Sequence, residues 1–369
     1  MRPPGGRPTG TAHSKRRSRG RFGGKRRVAP QVWAALGDVD NFCEPFAGSL
    51  AVLLGRPGWT PETLWTETTN DADAFLSNLW RSLQAAPDEV AQWADWPVNE
   101  TDLLARHLWL VEHGRERIAA LESDPDFYDA KVAGWYVWGV NSWIGSGWCA
   151  GHGPWRVVDG KVVNTGDKGG QWRQLPHLGD AGQGVNRKLP HLGNPGRGVN
   201  RKLPHLGNRG ADKPSKQADN EALCAYFAAL AARLRRVRVC CGDWSRVVTD
   251  GALAHGDRVG VFLDPPYLGD VRTADLYRVD DHTISHAVRE WALAHGDNPR
   301  YRVVIAGYAE EHEAHMPASW RCLRYSANAS YQTATSTGGN RDNRHKEALW
   351  FSPHCLSDTP MFAPRKENT

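Results

Sequence analysis

The residues best suited to chemistry are Asp264, Pro265, Pro266 and Tyr267, which directly follow the apolar run VGVFL. Four specified residues in a row arise by chance at roughly 1 in 10^5 positions of average composition. In open α/β sheets, ligands bind beyond the carboxyl ends of the strands. A carboxylate at such an end, two prolines that stiffen the next turn and an aromatic ring make a receptor for a small planar base. Asp264 and the Pro265 carbonyl can accept hydrogen bonds from an exocyclic amine, and the Tyr267 ring can stack on a base. The plainer reading is a strand-end turn with a capping Asp and a packing Tyr.

Other motifs stand at other strand ends. Glu44-Pro45-Phe46-Ala47-Gly48 follows the first apolar run, and Gly48 permits close approach to a ligand where strand gives way to helix. Asn70-Asp71 follows the second. A carboxylate there suits the hydroxyls of a ribose, or it caps a helix. Cys241-Gly242-Asp243 closes a third run. Upstream, Phe22-Gly23-Gly24-Lys25 joins a flexible pair to a cation that suits a carboxylate, or else it ends a basic tail.

Strand and helix signals alternate in a way that places these motifs. A strand running into a tight turn is expected over 39–48, and further strands at 64–68, 237–243, 259–264, 301–307 and 347–352. Helices are expected at 71–85, 87–122, 125–143, 220–236 and 281–295. The stretch WRVVDGKVV (155–163) reads as a hairpin turning at Asp159-Gly160. The alternation implies an α/β domain with a mostly parallel sheet, occupying 22–86 and 219–355. Residues 87–218 read as an inserted subdomain, residues 1–21 as a disordered basic arm, and 356–369 as a tail.

Charge is distributed unevenly. Residues 1–27 hold ten Lys/Arg and no acid, residues 151–218 hold twelve Lys/Arg against four Asp, and the rest is net acidic. Basic Gly/Pro-rich segments suit a polyanion, since each neutralised phosphate releases counterions; the plainer reading is a solvated tail and loop. Inside the second segment a 14-residue unit recurs: QLPHLGDAGQGVNR (174–187), KLPHLGNPGRGVNR (188–201) and KLPHLGNRG (202–210). Pro and Gly at this density disfavour helix and strand, so the repeat reads as a loop arm, and its histidines as solvated rather than metal-binding. The rings of the Trp-rich stretch 134–155 either wedge into a nucleic-acid partner, border a pocket or pack on the core; Trp135 and Trp138 are expected to pack. No stretch approaches the ~18 apolar residues of a membrane span, and no apolar h-region marks a secretory signal. Seven scattered cysteines form no C-x-x-C pair, which points to reduced thiols and a cytoplasmic protein.

Taken in order, FGGK (22–25), EPFAG (44–48), ND (70–71), CGD (241–243), DPPY (264–267) and the closing RHKEALWFS (344–352) resemble the Dam-type, alpha-group DNA adenine-N6 methyltransferases. The resemblance covers about 22–143 and 219–355. It implies a Rossmann-like S-adenosylmethionine-dependent methyltransferase sheet, with the insertion as target-recognition region. It also implies a DNA partner, no metal and no membrane, a monomer or weak dimer, and work on DNA in a bacterial or phage-infected cell. Lys25, with Gly23 and Gly24, would hold the methionine carboxylate, and Phe46 and Gly48 would line the cofactor site. Asp71 would accept from the ribose and Asp243 from the adenine of the cofactor. Phe22, Glu44 and Pro45 complete the cofactor set. Asp264, Pro265, Pro266 and Tyr267 would form the catalytic pocket, with Asp264 belonging to both. One departure stands out: the family often has a second glycine where this chain has Leu50.

The implied chemistry is attack of the adenine N6 amine on the cofactor methyl, with Asp264 and the Pro265 carbonyl as fixed acceptors and the base flipped out of the duplex onto Tyr267. A cytosine-N4 or RNA-base target remains an alternative, although cytosine-N4 enzymes more often carry Ser at the first DPPY position. A non-catalytic DNA-binding protein on the same scaffold is another.

Overall fold

The computed structural model describes residues 24–124, 126–143, 148–149, 155–158, 161–164, 216–266, 281–325 and 347–357. The repeat at 174–210 and the basic arm at 1–21 lie outside the described residues. The strands are β1 (Asn41–Glu44), β2 (Thr66–Asp71), β3 (Trp155–Val158), β4 (Lys161–Asn164), β5 (Val237–Cys241), β6 (Val259–Leu263), β7 (Tyr301–Tyr308), β8 (Arg321–Arg324) and β9 (Glu347–Phe351). The helices are α1 (Ala29–Leu36), α2 (Ala74–Ala85), α3 (Pro87–Ala94), α4 (Glu100–Trp109), α5 (Arg115–Arg117), α6 (Ala130–Ser142), α7 (Lys216–Leu234), α8 (Asp281–Gly296) and α9 (Ala309–His312).

Seven strands form one sheet in the order β5-β2-β1-β6-β7-β9-β8. The first five are mutually parallel, and β9 runs antiparallel to both β7 and β8. From β1 the chain moves outward through β2 to β5. It then returns to the other side of β1 for β6 and β7. The direction of winding therefore reverses between β1 and β6, and such reversals open a crevice at the carboxyl ends of the two strands.

Both faces of the sheet are covered. Phe262, Val304 and Leu349 join one buried cluster with residues of α1, α2 and α7. Their neighbours Val261, Leu263, Val303, Ile305 and Trp350 point the other way, into a second cluster with Ile284 and Val288 of α8. The two-residue alternation of a strand, with an apolar layer on either side, explains why β6 and β7 read as unbroken apolar runs. The helical part of the insertion is continuous with the first layer: Val90, Val132 and Tyr136 share that cluster with Leu79 and Phe227.

The hairpin is present, with Val158 opposite Lys161 across a two-residue connection. Trp138 is buried and its Nε1 donates to the Trp96 carbonyl at 2.8 Å, the packing role expected of it. Four expectations need revision. The helix expected over 87–122 is split into α3 (Pro87–Ala94), α4 (Glu100–Trp109) and shorter turns. The second strand is β2 at 66–71, not 64–68; Leu64 is 78% exposed, while Thr68, Thr69 and Asn70 are buried. Helix α2 begins at Ala74, and Asp73, not Asp71, is its N-cap, accepting from the Phe75 amide at 2.9 Å. Helix α1 and strand β8 are elements the sequence reading did not identify.

Candidate functional site

Four of the motifs stand at the carboxyl ends of parallel strands. The β1 turn carries Glu44 to Gly48, β2 ends in Asn70-Asp71, β5 leads into Gly242-Asp243, and β6 leads into Asp264. Asn70 joins three of them. It is buried, and its Nδ2 donates to the Pro45 carbonyl at 3.1 Å and the Gly242 carbonyl at 2.9 Å. The Ala47 amide returns a bond to the Asn70 carbonyl at 2.9 Å.

Asp71 ties the same turns through its carboxylate. Oδ2 accepts from the Gly48 amide at 2.8 Å and Oδ1 from the Asp73 amide at 2.8 Å. Burial first, and the neighbouring Asp73 charge second, push its carboxyl up to about 6. A carboxylate offers about four acceptor positions, so these two bonds leave capacity for a ligand hydroxyl.

Gly48 has φ of +46°, and a Cβ added there would meet nothing within 4 Å. The requirement for glycine is therefore backbone conformation, not close packing. Trp80 of α2 donates from Nε1 to the Gly48 carbonyl at 3.3 Å and holds the turn from behind. Leu50, where the resembling family often has glycine, also has a left-handed φ, +56°, with its side chain fully buried. The backbone thus takes the conformation a glycine would favour, at a steric cost of ~1–2 kcal/mol.

Phe46 stacks on Trp244, ring centroids 5.9 Å apart, which links the β1 turn to the turn after β5. Glu44 is buried and accepts the Leu53 amide at 3.0 Å. Burial raises its carboxyl to about 8, with the Asp264 charge adding to the rise. Burial therefore favours the neutral form of Glu44. Asp243 is exposed and caps the short turn Trp244–Val247 by accepting from the Ser245 amide at 2.9 Å.

On the β6 side, Lys25 stands in a single 3-10 turn, Gly24–Arg27. Its Nζ lies 3.1 Å from Asp264 Oδ1 and 3.7 Å from Glu347 Oε2, and it donates to the Tyr325 hydroxyl at 3.1 Å. The structure therefore brings Lys25 to Asp264, and Asn70, Asp71, Gly48 and Phe46 to one another. Pro265 is buried and Pro266 half-buried. Phe22, Gly23 and Tyr267 lie outside the described residues.

Asn70's bridging role, Glu347 and Tyr325 were not singled out from sequence. The Asn-Asp pair marked the right place, but the partners of Asn70 are remote in the chain. Glu347 stood inside a recognised motif with no role, and nothing around Tyr325 distinguished it. All seven cysteines are free thiols. Among the described residues no cluster of His, Cys, Asp and Glu could hold a metal ion, and no helix is long and apolar enough to cross a membrane. No protein-family model matches this chain, and no curated protein is significantly similar to it.

Proposed function

We propose that the protein transfers a methyl group from S-adenosylmethionine to the N6 amine of adenine in DNA. The observation that carries this reading is the Asp264 carboxylate, set at the carboxyl end of β6 beside the winding reversal and ion-paired to Lys25 at 3.1 Å. The sheet supports it too. Ranked in chain order, the parallel strands β5-β2-β1-β6-β7 read 3-2-1-4-5, the order of the doubly wound nucleotide-binding sheet.

The donor set fits the cofactor. Open space at Gly48 lies against the Asp71 carboxylate and near the Phe46–Trp244 stack. Asp71 would accept from the ribose, and Lys25 would meet the carboxylate. Asp243, exposed at the end of β5, would meet the adenine ring. When bound, the cofactor supplies an electrophilic methyl group.

The chain's own part is acceptance and alignment. The lone pair of an adenine amine is delocalised into the ring. Two fixed acceptors, the Asp264 carboxylate and the Pro265 carbonyl, would favour the more tetrahedral nitrogen and stabilise the positive charge that develops on it. Asp264 is also the first acceptor for the proton that the nitrogen sheds on its way to solvent. Holding the amine in register supplies much of the remaining acceleration. The amine lies inside a duplex, so the base must be flipped out. The basic segment at 151–218 supplies phosphate contacts in this reading.

Labelled methyl transfer to duplex DNA, RNA and cytosine-only polymers tests the assignment. Label in the adenine of DNA alone is expected. Label confined to RNA or to cytosine redirects the substrate, and no label in any polymer rejects the activity.

A further inference from the structure

The cluster around Lys25 contains more charge than the proposed reaction uses. An ammonium has three N–H donors, and among the described residues Asp264 Oδ1 lies at 3.1 Å, the Tyr325 hydroxyl at 3.1 Å and Glu347 Oε2 at 3.7 Å. The first two are at hydrogen-bond distance; the third is an ion pair still short of one. Two carboxylates thus face one cation, which lies nearer Asp264 than Glu347 and as near the Tyr325 hydroxyl as Asp264.

Glu347 and Tyr325 are built as one unit. Glu347 opens β9 and lies opposite Tyr308 at the end of β7. Tyr325 follows β8, and its amide donates to the Glu347 carbonyl at 3.0 Å. The sheet therefore fixes both groups beside Lys25. Lys25 itself rides on a single turn, Gly24–Arg27, and its ammonium ends a four-carbon side chain whose rotatable bonds let it lean toward either carboxylate.

The position matters for Asp264. A cation 3.1 Å from Oδ1 withdraws negative charge from the carboxylate and weakens it as an acceptor for an amine. We infer that Glu347 and Tyr325 are positioning residues, a second seat that draws the Lys25 ammonium off Asp264 and so restores its acceptor strength. This rests on the methyl-transfer reading for its consequence, but the sharing of the ammonium does not. With Glu347 neutralised, Lys25 settles on Asp264, and the step that needs a strong acceptor slows.

The test uses the full chain in two arms. In the first, steady-state methyl transfer to DNA is compared for wild type, E347Q, E347D, K25M and K25M/E347Q. The expected result is a kcat about tenfold lower for E347Q, a cofactor KM within about threefold of wild type, and recovery of kcat in E347D. The double variant should be no slower than K25M, because Glu347 acts only through Lys25. Multiplying losses in the double variant would overturn the inference. In the second arm, acylation of the Lys25 amine is followed by peptide mass spectrometry. Loss of one ionic partner should speed it about threefold in E347Q; an unchanged rate contradicts the sharing. This arm decides where K25M turns over too slowly to read, and Y325F replaces E347Q if the latter fails to fold. Acylation that responds without any methyl transfer by wild type rejects the activity and keeps the shared ammonium. Methyl transfer with neither arm responding rejects the shared ammonium and keeps the activity.

Discussion

The Lys25 ammonium lies 3.1 Å from the Asp264 carboxylate, joining the turn that precedes the first helix to the end of the central strand β6. One residue assigned to the cofactor and one assigned to the substrate amine therefore share a charge. K25M should weaken cofactor affinity about tenfold or more, the usual loss for one charge-assisted contact, and should flatten its dependence on salt. Titration calorimetry at two salt concentrations checks both; equal affinity for K25M and wild type removes Lys25 from the cofactor site.

Asp71 has a structural duty as well as a proposed ligand. Ala at this position leaves the Gly48 and Asp73 amides without their acceptor, at a cost of about 1–3 kcal/mol. Both the urea midpoint and the cofactor affinity should fall in D71A. D71N keeps one acceptor oxygen and should lie between. If D71A unfolds at the wild-type midpoint, the tie between the two turns is not what holds them.

Glu44 makes stability depend on pH in an unusual direction. Burial raises its carboxyl from an ordinary 4.5 to about 8. The native state keeps a proton that the unfolded state releases, so its contribution is fully present below pH 4.5 and is lost as pH rises to about 8. E44Q mimics the neutral form and still offers an oxygen to the Leu53 amide. It should match wild type near pH 4.5 and exceed it at pH 8 by roughly 1–4 kcal/mol. Thermal unfolding across that range is the check, and parallel curves for the two proteins would contradict a buried, raised carboxyl.

Leu50 reverses an ordinary ranking. In most settings glycine is less stable than alanine by about 1 kcal/mol. At a φ of +56° a Cβ is the liability. Both L50A and L50G lose the buried leucine side chain, but L50G should be the more stable of the two by about 1 kcal/mol. Chemical denaturation of the pair measures this directly; alanine above glycine would mean that the left-handed turn relaxes when the side chain is removed.

Legibility from sequence followed the origin of each feature. Strand β6 and Asp264 were readable because VGVFL is buried on both faces and the DPP turn is covalently next to it. The end of β2 was misplaced because Thr68, Thr69 and Asn70 look like loop residues. They are buried because β1 and β5 pair on either side of them. Strand β8 alternates half-buried and exposed positions in a four-residue stretch with two arginines, which leaves little apolar signal. Helix α1 is eight residues with proline in its first turn, too short for periodicity to show. The bridges from Asn70 to Pro45 and Gly242, and from Lys25 to Asp264, depend on strand order. No local pattern encodes that order.

The most direct measurement pairs wild type with D264A. Each is incubated with S-adenosylmethionine and plasmid DNA, and the DNA is digested to nucleosides for mass spectrometry. Wild type should produce N6-methyladenine, and D264A should produce none detectable while still binding the cofactor within about tenfold of wild type. N6-methyladenine at near-wild-type levels from D264A, or its absence from the wild-type digest, would contradict the account.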